Sequence, residues 1–179
     1  MLAIMDKKKI FIVLGFFWLV LLGGFIGFKE FTIKTGQEVL LKTLPVDPRD
    51  PFRGDYVVLR YDIGRIDLSK IPGAPLFNAN DAIYAEIEKG SDGYGKLVSL
   101  SKTAPTGKLF IKGVVKYANS SNIQAEYGIE SYFVPANKGY AIEQKRGNGV
   151  DAKVSVDTFG NAIVKTLLIE GKEIDFNSI

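Results

Sequence analysis

Ile10 to Phe28 runs for nineteen residues without a charged side chain: Ile-Phe-Ile-Val-Leu-Gly-Phe-Phe-Trp-Leu-Val-Leu-Leu-Gly-Gly-Phe-Ile-Gly-Phe. At ~1.5 Å per residue such a helix rises about 28 Å, close to the hydrocarbon thickness of a bilayer. It is apolar on every face, which a helix packed on one side of a soluble core is not. The expectation is a transmembrane signal anchor over 10–28, a basic tail over 1–9 and a separate domain over 29–179. Lys7-Lys8-Lys9 flanks the run, so the positive-inside rule puts the N-terminal side in the cytoplasm and the domain outside it. Glu30 offsets Lys29 and Lys34 on the other flank. A cleaved signal peptide is the competing reading. Against it, the apolar run exceeds the usual ~7–15 residues and no A-x-A-like site follows. Gly23 and Gly27 have the G-x-x-x-G spacing that lets helices approach closely.

The formal net charge of +3 belongs to this end of the chain. Residues 30–179 hold 19 basic and 19 acidic side chains. A neutral domain lacks the basic field of a nucleic-acid binder, so no nucleic-acid partner is expected. There is no cysteine and no histidine. That removes a thiol nucleophile, thiolate metal sites and the commonest general base. No catalytic set, metal site or cofactor is read from these residues.

After Gly36 the pattern becomes strand-like. Gln37 to Leu44 has β character. Val57, Leu59, Tyr61 and Ile63 alternate with Tyr56, Val58, Arg60 and Asp62, which predicts a strand with the first set inward, ended by Gly64. Leu68 to Asn80 carries Pro72-Gly73 and Pro75 and reads as a loop. Further strands are expected at Ala82–Glu88, Leu97–Ser101, Leu109–Tyr117, Ile123–Val134, Val150–Val156 and Ala162–Ile169, with a last short one after Gly171-Lys172. Asn119-Ser120-Ser121 matches a glycosylation sequon but reads as a turn. Pro135 suits the first position of a short helix through about Lys145. Many short strands separated by turns predict a mainly β domain, a sandwich or partly open barrel with one short helix, preceded by the transmembrane helix.

The densest stretch is Pro45 to Ile63. Three prolines (Pro45, Pro48, Pro51) fall within seven positions, with Asp47, Arg49, Asp50 and Arg53 among and after them. Prolines stiffen the backbone and remove donors, so these side chains must pair locally or with a partner. Arginine makes planar, bidentate pairs with carboxylates. Asp47, Arg49, Asp50 and Arg53 are therefore the candidate partner-binding surface, with an internal Asp–Arg brace as the alternative. A hard-cation site using Asp47, Asp50 and Asp55 lacks a known calcium-loop spacing and has two arginines against it. Gly54 suits a sharp turn, and Asp55 can accept backbone N–H bonds there. Tyr56, Leu59 and Tyr61 read as packing residues of the following strand.

Gly54-Asp55-Tyr56-Val57-Val58-Leu59-Arg60-Tyr61 spells G-D-Y-x-x-L-x-Y. It resembles the bacterial family named for that signature, the GDYXXLXY proteins. The resemblance extends to the Pro-Val-Asp-Pro-Arg-Asp-Pro-Phe-Arg approach and to Tyr127–Pro135. It continues over Val154–Asp157 and Gly160–Lys165. A family position usually acidic after Val134-Pro135 is Ala136 here. The resemblance implies a membrane-anchored protein found alongside polytopic membrane proteins, and it supplies no activity.

The functional expectation is a membrane-anchored extracytoplasmic domain, a binding or accessory subunit of a membrane complex. A bilayer and a polytopic membrane protein are its expected partners. One alternative is an inactive relative of the signal peptidases, since Arg53–Tyr61 is similar to a strand of those Ser/Lys enzymes. Their serine precedes the Gly-Asp, but no serine lies between Gly36 and Gly54. Lys102 and Lys165 are the available bases. The other alternative is an envelope-polymer binding domain.

Overall fold

The computed structural model describes residues 7–44, 56–135 and 150–175. A helix, α1, runs from Lys7 to Thr35. It is long and apolar enough to cross a membrane, and none of its most apolar window is buried against the rest of the chain. Among its described side chains only Thr32 is buried. The helix thus outlasts the uncharged run by two turns, and its last turn touches the domain.

Among the described residues eleven strands follow: β1 (Gln37–Lys42), β2 (Tyr56–Val58), β3 (Arg65–Asp67), β4 (Ala82–Lys89), β5 (Gly95–Ser101), β6 (Phe110–Ala118), β7 (Asn122–Glu126), β8 (Ser131–Phe133), β9 (Val150–Val156), β10 (Ala162–Ile169) and β11 (Lys172–Glu173). They form an antiparallel sheet of order β1-β9-β10-β11, a second of order β3-β7-β6-β4-β5, and the pair β2-β8. An isolated bridge between Leu40 and Tyr94 joins the two larger sheets. Single-residue bulges fall at Lys165 in β10, Val98 in β5 and Lys116 in β6. Each bulge bends its strand and increases the local twist. The sheets curl into a half-barrel.

The inward alternation builds one core. Val39 and Leu41 meet Val154 and Ala152 from the first sheet, and Ile83, Ala85, Ile87, Ile111 and Val115 come from the second. Full burial of each large aliphatic is worth roughly 1.5–3 kcal/mol before entropy is counted. Among the described residues no buried side-chain nitrogen or oxygen lacks a hydrogen-bond partner.

The helix is fastened to this barrel. Gly36 N donates to Thr32 O at 3.1 Å and closes the last turn. Ser155 Oγ donates to the same carbonyl at 2.7 Å. Thr32 Oγ1 donates to Asp157 Oδ2 at 2.8 Å. A Cβ at Gly36 would lie 2.4 Å from Ser155 Oγ and 2.6 Å from Thr32 O, so the corner between helix and β1 admits only glycine without movement. Asp157 heads the tight turn between β9 and β10. Its carboxylate also accepts from Phe159 N and Asn161 N, each at 2.9 Å, and from Asn161 Nδ2. Desolvation opposes its charge. Donors on Asn161, Thr32 and Phe159 outweigh that and hold the carboxyl below its ordinary pKa.

Two expected strands are shorter than predicted. The alternating run from Tyr56 leaves the ladder after Val58, and Asp62–Gly64 forms a 3-10 turn. Ile63 N donates to Asp62 Oδ1 at 2.7 Å, a local bond that replaces a strand partner. The run from Ile123 breaks at Tyr127–Glu130. Gly128 sits there at φ +77°, and Glu130 Oε1 accepts from Tyr127 N at 2.6 Å. The helix expected from Pro135 to about Lys145 lies, beyond Pro135, outside the described residues.

Candidate functional site at the end of the domain remote from the helix

β1 starts beside the helix at Gln37 and ends at Lys42. Five steps at ~3.3 Å each put these ends about 17 Å apart. The register pairs Lys42 with Asp151 and Val150 with Ile169, so the start of β9 and the end of β10 share that remote end. The chain enters 45–55 from Leu44 and returns at Tyr56. It enters 136–149 from Pro135 and returns at Val150. Asp47, Arg49, Asp50, Arg53, Gly54 and Asp55 lie outside the described residues, and so does Ala136. The described part of the site is the rim that roots the first of these segments.

The roots are pinned by the backbone. Leu44 N donates to Arg60 O at 2.6 Å, and Thr43 bridges to Tyr61. Thr43 Oγ1 donates to Val150 O, which ties β1 to β9. On the return side Tyr56 pairs with Phe133 and Val58 with Ser131, and Leu59 N donates to Glu130 O at 2.7 Å.

The rest of the signature runs under the rim. Val57, Leu59 and Tyr61 are almost fully buried, whereas Arg60 is exposed. Tyr61 OH donates to Ile129 O at 2.8 Å. Tyr127 OH donates to Ile63 O, also at 2.8 Å. Each tyrosine thus caps a carbonyl in the segment that holds the other, a reciprocal clasp between 61–63 and 127–129. Burial pushes both phenols well above their ordinary pKa, and the Glu130 carboxylate adds to it. They are permanent donors, and their role is structural.

A polar cluster surrounds this clasp. Tyr94 OH donates to Asp151 Oδ2 at 2.6 Å, and Lys42 Nζ stands 5.3 Å from the centre of the Tyr94 ring. The bond to Asp151 pushes the Tyr94 phenol up to about 12, with burial second. Desolvation raises the Asp62 carboxyl above its ordinary value. The Lys42 charge lowers it and the Asp151 charge raises it. Two carboxylates, one ammonium and a phenol held protonated are suited to recognition of a charged or hydrogen-bonding surface.

Lys42, Tyr94 and Asp151 carry no signal in the sequence, because they come from three separate strands or turns and meet only in the folded half-barrel. Tyr127 and Glu130 stood within a family-like stretch, but their partners could not be read from it. Of the two lysines considered as bases, Lys102 pairs with Asp81 at 2.8 Å and Lys165 with Glu38 at 2.6 Å.

The family model described as GDYXXLXY protein matches residues 18–167, most of the chain. No curated protein and no solved structure matches it.

Proposed function

The chain belongs to the GDYXXLXY family, and from that premise we propose that it is a membrane-anchored accessory subunit. Its domain docks on a polytopic membrane protein through Asp47, Arg49, Asp50 and Arg53. In this reading α1 crosses the cytoplasmic membrane of a bacterium once. The N-terminal side is inside and the β domain lies in the extracytoplasmic space.

The observation that supports it is the division of the domain into two ends. One end is fastened to an apolar helix through Thr32 and Asp157. The segment rich in proline, aspartate and arginine follows the other, about 17 Å along β1. Its roots at Leu44 and Tyr56 are held by backbone pairs to Arg60 and Phe133. Such a layout roots a proline-rich, charged sequence on a rigid base at the end of the domain away from the helix.

The test is a pull-down of the full-length protein from its native membrane in mild detergent, read by mass spectrometry. The Asp50→Ala/Arg53→Ala double variant runs beside it, after its melting curve has been matched to wild type. Retention of a polytopic protein by wild type and its loss from the variant is the expected result. Wild type emerging alone, or equal retention by both, would overturn the docking role of the segment.

A further inference from the structure

We propose that Phe159, at the tip of the β9–β10 turn, is a second membrane contact. It enters the lipid headgroup layer beside α1 and seats the domain on the bilayer. The inference rests on α1 crossing a membrane, as proposed above.

The argument begins with the direction of β9. The strand runs from Val150 at the remote end to Val156 beside the helix. The turn that follows is therefore the hairpin tip on the helix side. One carboxylate fixes its height. Asp157 accepts from Thr32 Oγ1 through Oδ2 at 2.8 Å and from Phe159 N through Oδ1 at 2.9 Å. One carboxylate and two hydrogen bonds therefore link the Phe159 amide to the side chain of helix residue 32. Thr32 is four residues beyond Phe28, the last of the uncharged run, a rise of about 6 Å. Each headgroup layer is about 5–8 Å deep outside the hydrocarbon. This linkage sets Phe159 near the headgroup layer when the uncharged run fills the hydrocarbon.

The turn is also rigid. Gly160 N donates to Asp157 O at 3.0 Å, and Asp157 N donates to Asn161 O at 3.0 Å. Lys112 N donates to Gly160 O at 2.8 Å and clamps the turn to β6. Gly160 has φ +79°, and a Cβ there would meet the Phe110 ring at 2.4 Å. None of these contacts uses the Phe159 side chain, which is 65% exposed. An exposed apolar ring near that depth gains by burial at the headgroup–acyl boundary.

The test uses tryptophan as a depth probe in full-length protein reconstituted into phospholipid vesicles. The native Trp18 lies within α1, so wild type reports on the helix and Trp18→Phe/Phe159→Trp reports on the turn alone. Lipids brominated at shallow or deep acyl positions are the quenchers. The expected result is blue-shifted emission from the double variant, quenched more by shallow than by deep bromines. Water-like emission without quenching overturns the proposal. So does blue-shifted emission that no bromolipid quenches, because the ring is then covered by protein. Trp18 in wild type must be quenched by the deep bromines; if it is not, the spanning role of α1 has failed instead.

Discussion

Thr32 in the last turn of the apolar helix donates a 2.8 Å hydrogen bond to Asp157, 125 residues later in the chain. Thr32 has no exposed surface and Asp157 very little. The bond ties the end of the helix to the β9–β10 turn. Asp157 then passes the constraint to Phe159 and Asn161 through their backbone amides.

Thr32→Val keeps the shape and removes the donor, leaving a buried carboxylate one partner short. The expected loss of domain stability is about 1–3 kcal/mol. Urea unfolding of the detergent-solubilised protein measures it. An unchanged midpoint would mean the latch carries no stability.

The same carboxylate gives a pH dependence. Its folded pKa lies below its ordinary value, so its contribution is present above about pH 4 and is lost as pH falls through the folded value. The thermal midpoint of wild type should fall in acid below about pH 4, and Asp157→Ala should show a shallower fall. The other lowered carboxyls, Glu38, Asp67, Asp81 and Glu86, sit on the surface and should leave a smaller common slope in both proteins.

Gly36→Ala tests the corner between helix and sheet. Its new methyl meets Ser155 Oγ and two backbone oxygens within 3 Å. A cost of about 1–3 kcal/mol is expected from the overpacking. Gly23→Ala, where a Cβ meets nothing within 4 Å, is the matched control and should leave the midpoint in place.

Within the signature, Leu59→Ala should cost about 2–5 kcal/mol, because Leu59 is 1% exposed in the central core. Tyr61→Phe should cost about 1–2 kcal/mol by leaving the Ile129 carbonyl unpaired. Arg60→Ala, exposed between them, should change stability by less than about 0.5 kcal/mol. Chemical denaturation of the three variants gives the order directly. Equal effects would mean that the alternation does not govern this segment.

Tyr94 supplies a prediction in alkali. With its phenol pushed up to about 12, absorbance titration should show one tyrosine ionising near there in wild type. Asp151→Asn should move that transition back toward pH 10. Since the folded value is the raised one, this group's contribution to stability is complete below about pH 10 and fades as pH climbs toward 12.

The fold class was legible because it depends on short periods. Nineteen uncharged residues specify an apolar helix without reference to anything else. Alternation at Ile83/Ala85/Ile87 and Val57/Leu59/Tyr61 specifies which faces turn inward, and all of these residues are buried. The same logic misread Asp62 and Gly128. A side-chain acceptor captured Ile63 N at the first, and a left-handed backbone stopped the strand at the second. The signature was legible only as a motif: a glycine and an aspartate leading into a strand, with spaced aromatics at Tyr56 and Tyr61.

What the sequence by itself determined was therefore local: the apolar helix, the strand faces and the proline-bounded segment between Leu44 and Tyr56. Only the tertiary structure decided what meets across long loops. It brought Asp157 to Thr32, Asp151 to Tyr94, and Tyr61 and Tyr127 into their reciprocal clasp. The physical reason is range. Hydrophobic periodicity is written in neighbouring residues, whereas a buried hydrogen bond depends on closing a loop whose ends carry no mark of each other until the barrel has brought them together.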